Sequence, residues 1–255
     1  MSVLPYPPLH TEAKFVVLSD WDGTITDRDS NDFVVDNLGF GYEKRRAMNL
    51  EVLQEKITFR DSFREMLQSV HHPFEDCKKL LQQNIKLDPG FKEFYEWCKA
   101  NNVPVIIVSS GMEPNIRAVL STLLSPEEAL KIEIIANDVK FTDPAHTGET
   151  WEIVYRHPES GFGHDKSKAI LPYRDLPSKP TLFFCGDGVS DMSAAKHADC
   201  LFTKLMANGD SDLMAYCKRQ GIPHVPFTDF KQVLERVKQV VEGKPVAEVL
   251  KEAGN

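Results

Sequence analysis

No apolar run in this chain is longer than Val103–Val108, far short of the roughly 20 residues that a membrane-spanning helix needs. Cysteine is sparse. The five thiols, Cys77, Cys98, Cys185, Cys200 and Cys217, are odd in number, widely spread and never in a C-x-x-C pair. That pattern excludes a zinc ribbon, a redox dithiol and a disulfide scaffold. Such cysteines read as small buried apolar side chains in a reducing compartment. Positive charge is also short: 30 Lys and Arg stand against 38 Asp and Glu, for a net charge of −8. This leaves no basic footprint for general nucleic-acid binding and none for an anionic membrane surface. Internal repeats and low-complexity tracts are missing. The opening MSVLPYPPLH has neither the charged nor the apolar region of a secretory signal, and its prolines predict an extended tail. The expected location is the cytosol.

What is present is an ordinary globular balance, 42% hydrophobic and 27% charged over 255 residues. That length suits one large domain, or one domain with a smaller appendage. Short β-branched and aromatic runs at Lys14–Ser19, Val103–Val108, Thr181–Cys185, Cys200–Thr203 and His224–Phe227 predict buried strands. Helical patterns lie between them, at Pro89–Ala100, Glu113–Leu124, Lys166–Tyr173, Val189–Lys196, Leu213–Gln220 and Phe227–Glu242. Such alternation predicts a parallel sheet covered on both faces. A small antiparallel excursion is expected around Ile132–Tyr155. Between Arg28 and Leu87 there is no strand pattern, only amphipathic helical signals at Asn31–Leu38, Tyr42–Gln54, Phe59–Val70 and Phe74–Ile85. A simple crossover needs about a dozen residues, so this stretch reads as a helical unit inserted after the first strand.

The sharpest motif, Asp20-Trp-Asp-Gly-Thr24, follows the first strand directly. Alternate strand residues project to one side, so Asp20 and Asp22 can face a common site at the carboxyl end of the sheet, where open α/β sheets bind ligands. Two adjacent carboxylates need a shared proton or cation. An EF-hand fails, because the sixth and twelfth positions from Asp20 are Ile25 and Asn31. A second motif, Gly186-Asp-Gly-Val-Ser-Asp191, follows the strand ending at Cys185, and Asp187 and Asp191 can address one cation. It is no dinucleotide fingerprint, since Asp191 occupies the third glycine position. By itself the pair could equally cap a helix. Ser109-Ser-Gly111, between a strand and a helix, offers hydroxyls and free backbone N–H groups as a phosphate cradle, although such a turn is common without one. Lys166, at the start of a helix, could neutralise a carboxylate–phosphate cluster. Lys168, two residues on, would point elsewhere.

In that order, D-W-D-G-T, the Ser109 turn, Lys166 and G-D-G-V-S-D resemble the four motifs of the haloacid dehalogenase superfamily, over about Phe15 to Val240. The helical insertion is similar to the phosphoserine-phosphatase-like group, which includes methylthio-sugar phosphate and fungal sugar-alcohol phosphatases. The resemblance implies an α/β fold, a Rossmann-like parallel sheet core over 1–27 and 88–255 with a small helical cap domain over 28–87. It implies a phosphatase for a small soluble phosphomonoester, with Asp20 as nucleophile forming an aspartyl-phosphate and Asp22 as general acid and base. Mg²⁺ would be held by Asp20, the backbone carbonyl of Asp22 and Asp187, with Asp191 supporting. Ser109, Ser110 and Lys166 would hold the phosphoryl group. Phosphoserine phosphatases add a cap acid and a cap Arg, and here those positions carry Asp29 and Met66. The apolar Met66 favours a sugar or polyol phosphate over phosphoserine. The rivals are a phosphomutase of the same fold, a phosphorylated receiver domain and a non-catalytic binding protein on this scaffold. The receiver would carry no such insertion.

Overall fold

The computed structural model of the chain describes residues 6–206, 209 and 211–254; the N-terminal tail expected from the prolines lies partly outside them. The first strand, β1 (Phe15–Ser19), is followed by four helices: α1 (Ser30–Leu38), α2 (Tyr42–Leu53), α3 (Phe59–Gln68) and α4 (Phe74–Asn84). Next come α5 (Phe91–Ala100), β2 (Val105–Met112), α6 (Glu113–Leu123), α7 (Pro126–Lys131) and the hairpin strands β3 (Glu133–Phe141) and β4 (Trp151–Val154). The C-terminal half runs through α8 (Ser167–Ile170), β5 (Thr181–Gly186), α9 (Met192–Ala195), β6 (Cys200–Lys204), α10 (Asp212–Gln220), β7 (Val225–Phe227), α11 (Phe230–Val241) and α12 (Val246–Glu252).

The strands form one sheet in the order β4-β3-β2-β1-β5-β6-β7. Every neighbouring pair is parallel except β3–β4, the expected antiparallel excursion. Alternation along each strand divides the core in two. Val17, Ile107, Phe183 and Cys185 face the side covered by α5, α6, α11 and the inserted helices. Val16, Leu18, Ile106, Leu182 and Phe184 face the side covered by Ala169, Ala194, Leu213 and Cys217 of α8, α9 and α10. The chain builds to one side of β1 with β2–β4 and to the other with β5–β7. The order therefore switches between β1 and β5, where sheets of this kind open a ligand crevice at their carboxyl ends.

Three expectations shift. Residues 109–111 do not form a turn: β2 continues to Met112, and its register against β3 slips between Val108 and Met112. The predicted helix Lys166–Tyr173 is one α-turn followed by a 3-10 turn over Leu171–Asp175, because Pro172 has no N–H to extend α8. The predicted helix Val189–Lys196 likewise begins as a 3-10 turn over Val189–Asp191.

The inserted helices join the sheet through two chain segments that run side by side. Thr26 bridges Leu87, and the Asp27 and Asp88 N–H groups donate to Lys86 O and Ile25 O at 2.9 and 2.8 Å. A second attachment comes from the hairpin. Phe74 packs edge-on against Trp151, whose indole N–H donates to His72 O at 2.9 Å, and the Tyr155 hydroxyl donates to Arg60 O at 2.6 Å. The insertion's apolar residues, among them Val34, Met48, Phe63 and Leu81, are continuous with one face of the sheet. No helix among the described residues is long and apolar enough to cross a membrane.

Candidate active site

In-register pairing of β1 with β5 puts Ser19 opposite Cys185, and the Asp20 N–H donates to Cys185 O at 2.8 Å. Asp20 and Asp187 thus leave the sheet at the same level. Lys166, fully buried at the head of α8, spans the gap beneath them. Its ammonium donates to Asp20 Oδ1 and, at 2.7 Å, to Asp191 Oδ1. The other Asp191 oxygen accepts the N–H groups of Asp187 and Gly188 at 3.0 and 3.1 Å, which closes the loop after β5 around that carboxylate. Lys168, by contrast, pairs with Glu159 at the surface. Carboxylate oxygens of Asp20, Asp187 and Asp191 lie within 4.8 Å of one another. Gly23, with φ +73°, is what allows this approach: a Cβ there would stand 2.6 Å from Asp187 Oδ2.

The electrostatics are unbalanced. Asp20, Asp22, Asp187 and Asp191 bring four carboxylates to one ammonium. Burial pushes the Asp20 carboxyl up to about 7, against the pull of Lys166. Asp187 sits well above the usual carboxylate range, through burial and then the Asp20 and Asp191 charges. Asp22 is raised in the same way, by burial and by Asp29 and Asp20. Burial works against the charge on Lys166, but Asp191 and Asp20 hold its pKa above normal. This is the chemistry of a cation site. The Asp20, Asp187 and Asp191 oxygens are hard, mutually repelling and close enough to converge, as a divalent cation with oxygen preference requires. The donor set fits Mg²⁺.

Asp22 turns away from that trio toward α1. Asp29 caps α1, its carboxylate accepting the Asp32 N–H at 2.8 Å, and it lines the cavity above the site together with Met66. Ser109 Oγ accepts the Gly111 N–H at 2.9 Å, so its own proton is free to be donated. The Ser110 hydroxyl is buried with no hydrogen-bond partner among the described residues, and Ser110 borders the cavity. A hydroxyl left unpaired at such a place is ready for an oxyanion.

Sequence reasoning missed the residues that hold these groups. Asn137, fully buried on β3, donates from Nδ2 to Ser110 O at 2.7 Å and accepts the Arg156 N–H at 2.8 Å. His164 Nδ1 lies 2.6 Å from Ser109 O. Ser30 and Asn31 bind Asp22. Nothing in the local pattern marks these side chains, since each acts on a partner remote in the chain. The cavity itself has a volume of about 620 Å³. Asp20, Asp22 and Asp187 form its floor, and α2 and α3 supply a wall of Arg46, Asn49, Val52, Leu53, Phe59, Ser62, Phe63 and Met66.

An open sheet with a carboxylate pocket at its switch point and an inserted helical unit above it defines a Rossmann-like α/β fold. A family profile described as haloacid dehalogenase-like hydrolase matches residues 17–196, and the chain belongs to that family. It is 46% identical over 246 residues to "Polyol phosphate phosphatase PYP1" of Saccharomyces cerevisiae, covering 93% of this chain and 98% of that one. It is 48% identical over 219 residues to "Pdp3-interacting factor 1" of Schizosaccharomyces pombe, covering 85% and 92%. A solved phosphoserine phosphatase, determined as a phospho-aspartyl intermediate analogue, superposes with a TM-score of 0.59 at 17% identity, covering 81% of this chain and 99% of that one. With such relatives in this family, the chain is a phosphoric monoester hydrolase.

His164 generates a pH prediction. Burial pushes its imidazole down from 6.5 to about 3, so the unfolded chain takes up a proton that the folded chain refuses. Its contribution to stability is complete above pH 6.5 and is lost as the pH falls from there toward 3, by about 1.4 kcal/mol per pH unit. His164→Asn keeps a donor for Ser109 O and removes the titration. Urea unfolding at a series of pH values is expected to give a shallower acid decline for the variant than for wild type.

Proposed function

We propose that this chain hydrolyses a small sugar or polyol phosphate monoester, with Asp20 as the nucleophile and Asp22 as the general acid and base. The observation that carries the reading is the buried Lys166 bridge. It fixes one Asp20 oxygen at the carboxyl end of β1 and leaves the carboxylate excess around it facing the cavity. An Asp20 oxygen attacks phosphorus as the bond to the ester oxygen breaks, and the departing alkoxide takes the Asp22 proton and leaves as an alcohol. A water then gives a proton to Asp22 as its oxygen attacks phosphorus. The bond from phosphorus to Asp20 breaks, inorganic phosphate departs, and the Asp20 carboxylate is restored. Ser109, Ser110 and Lys166 hold the phosphoryl oxygens. Such transfer needs chiefly positioning and charge neutralisation. Mg²⁺, held by Asp20, Asp187 and the Asp22 backbone carbonyl with Asp191 behind them, would supply the positive charge that the substrate's phosphate and these carboxylates lack.

The helices of residues 28–87 are a cap on the core formed by 1–27 and 88–255. The paired connections at Thr26 and Leu87 support that boundary. The cap roofs the cavity and keeps bulk water from the intermediate. A neutral polyhydroxy leaving group suits the wall that it presents. Met66 and Phe63 are apolar, whereas the Ser62 hydroxyl, on the same wall, is buried without a partner among the described residues. Arg46 and Asp32 also line the cavity, and both can hydrogen-bond the hydroxyls of a polyol, so the charged part of the lining suits such a leaving group too. The relative named for polyol phosphates supports the same choice. Five unpaired buried thiols support a reducing, cytoplasmic setting.

Phosphate release is measured over sugar, polyol, amino-acid and methylthio-sugar phosphates, for wild type and Asp20→Asn, with Mg²⁺ and with chelator. Wild type is expected to release phosphate best from a sugar or polyol ester and to lose the activity on chelation. Asp20→Asn is expected to lose about a thousandfold or more. Turnover without free phosphate would point to a mutase, and full activity in Asp20→Asn would refute the assignment. On the favoured ester, Ser62→Ala is expected to raise KM about fivefold, the worth of one hydrogen bond, and to leave inhibition by inorganic phosphate unchanged.

A further inference from the structure

Asp22 is held from the first turn of the inserted helices. Its Oδ1 accepts the Ser30 N–H at 2.7 Å and the Ser30 hydroxyl at 2.5 Å, and its Oδ2 accepts the Asn31 amide at 2.7 Å. All three partners are buried: Asp22 is 8% exposed, Ser30 3% and Asn31 6%. The clamp is tight from the sheet side as well. A Cβ at Gly111 would lie 3.1 Å from Asn31 Nδ2 and 3.2 Å from both Asp22 Oδ2 and Ser109 Oγ. The Asp22 carboxylate is therefore pressed between the start of α1 and the end of β2, beside the hydroxyl proposed to hold the phosphoryl group. Two further contacts fix the turn that carries the donors. Asp29 caps it, and Arg45 of α2 reaches back to Asp32 and Asp36 farther along α1.

We propose that Ser30 and Asn31 are positioning residues that aim the Asp22 carboxyl at the leaving oxygen, so that the inserted helices orient the proton donor as well as covering the cavity. An Asp side chain freed of these donors can rotate about χ1 and χ2, and a general acid misaimed by even an ångström loses much of its effect. None of the three donors touches Asp20, Asp187, Asp191 or Lys166 through any hydrogen bond recorded among the described residues. Their loss should therefore leave nucleophilic attack comparatively intact. The donors do not themselves exchange the proton: it passes between Asp22 and the alkoxide, and later between water and Asp22. The proposal rests on the assignment of Asp22 as general acid.

The test compares kcat/KM for an alkyl phosphate, whose alkoxide must be protonated, with that for an aryl phosphate carrying a nitrophenolate leaving group, which needs no proton. This parameter reports the steps through release of the leaving group, and the alkyl-to-aryl ratio within one preparation is independent of the fraction correctly folded. Ser30→Ala, Asn31→Ala and the near-isosteric Asn31→Asp are expected to lower the ratio about tenfold or more. Ser30→Thr, which keeps the hydroxyl, is expected to restore it. A ratio unchanged in the Ala and Asp variants, with both substrates falling together or neither falling, would overturn the clamp. Asp22→Asn separates the two levels. If it lowers the ratio while the Ser30 and Asn31 variants do not, only the clamp fails. If Asp22→Asn also leaves the ratio unchanged, the general-acid assignment itself is wrong.

Discussion

The buried ammonium of Lys166, shared between Asp20 and Asp191, is the contact on which the rest of the site depends. A buried lysine is costly unless it is paired, and a buried carboxylate equally so. Here the three groups come from the end of β1, the 3-10 turn after β5 and the head of α8, so the pairing also locks these segments together. One ammonium does not balance the carboxylates gathered around it. Burial raises the Asp20, Asp22 and Asp187 carboxyls, and the neighbouring carboxylate charges raise them further. A divalent cation held there, as proposed, would let a sequence with a net charge of −8 receive a phosphate ester.

The sheet order brings these groups into one place. With β1 central and the chain building outward on both sides, β1 and β5 are neighbours although about 160 residues separate them in the chain. The inserted helices reach the same point from above. Their first turn grips Asp22, and α2 and α3 line the cavity. The β3–β4 hairpin and its following loop hold α3 and the segment before α4, through Trp151, Tyr155 and the Arg60 N–H to Gly161 O contact. Any relative motion of the insertion would therefore have to pivot about fastenings on two sides, the paired segments at Thr26 and Leu87 and this hairpin.

Much of this was legible from the chain. Apolar β-branched runs located five of the six parallel strands, all but β3, and helical periodicity located α1 to α4 nearly to the residue. The Asp20 and Asp187 motifs are local, each written on one strand end, and so could be read directly. Lys166 needed the company of the other motifs, because one lysine at a helix start carries no signal of its own. What stayed hidden depends on contacts between remote segments. Ser109–Gly111 has turn composition, yet it is carried inside β2 as an irregularity between the Val108–Ile135 and Met112–Asn137 pairs with β3. The grips of Asn137 on Ser110, His164 on Ser109 and Asn31 on Asp22 join segments that only the fold makes adjacent. Two helices outside the site, α7 and α12, also went unread. Ser125 caps α7 and accepts the Glu128 N–H at 3.2 Å, and α12 is a seven-residue helix that follows Pro245.

The central claim is that Asp20 is the carboxylate that takes the phosphoryl group. Rapid acid quench during turnover of a ³²P-labelled substrate, followed by peptide mapping, tests it most directly. The account predicts an acid-stable, base-labile label on the peptide that contains Asp20, which borohydride reduction converts to homoserine at that position. Label on another residue, or phosphate release in a single turnover with no covalent label at any quench time, would contradict it.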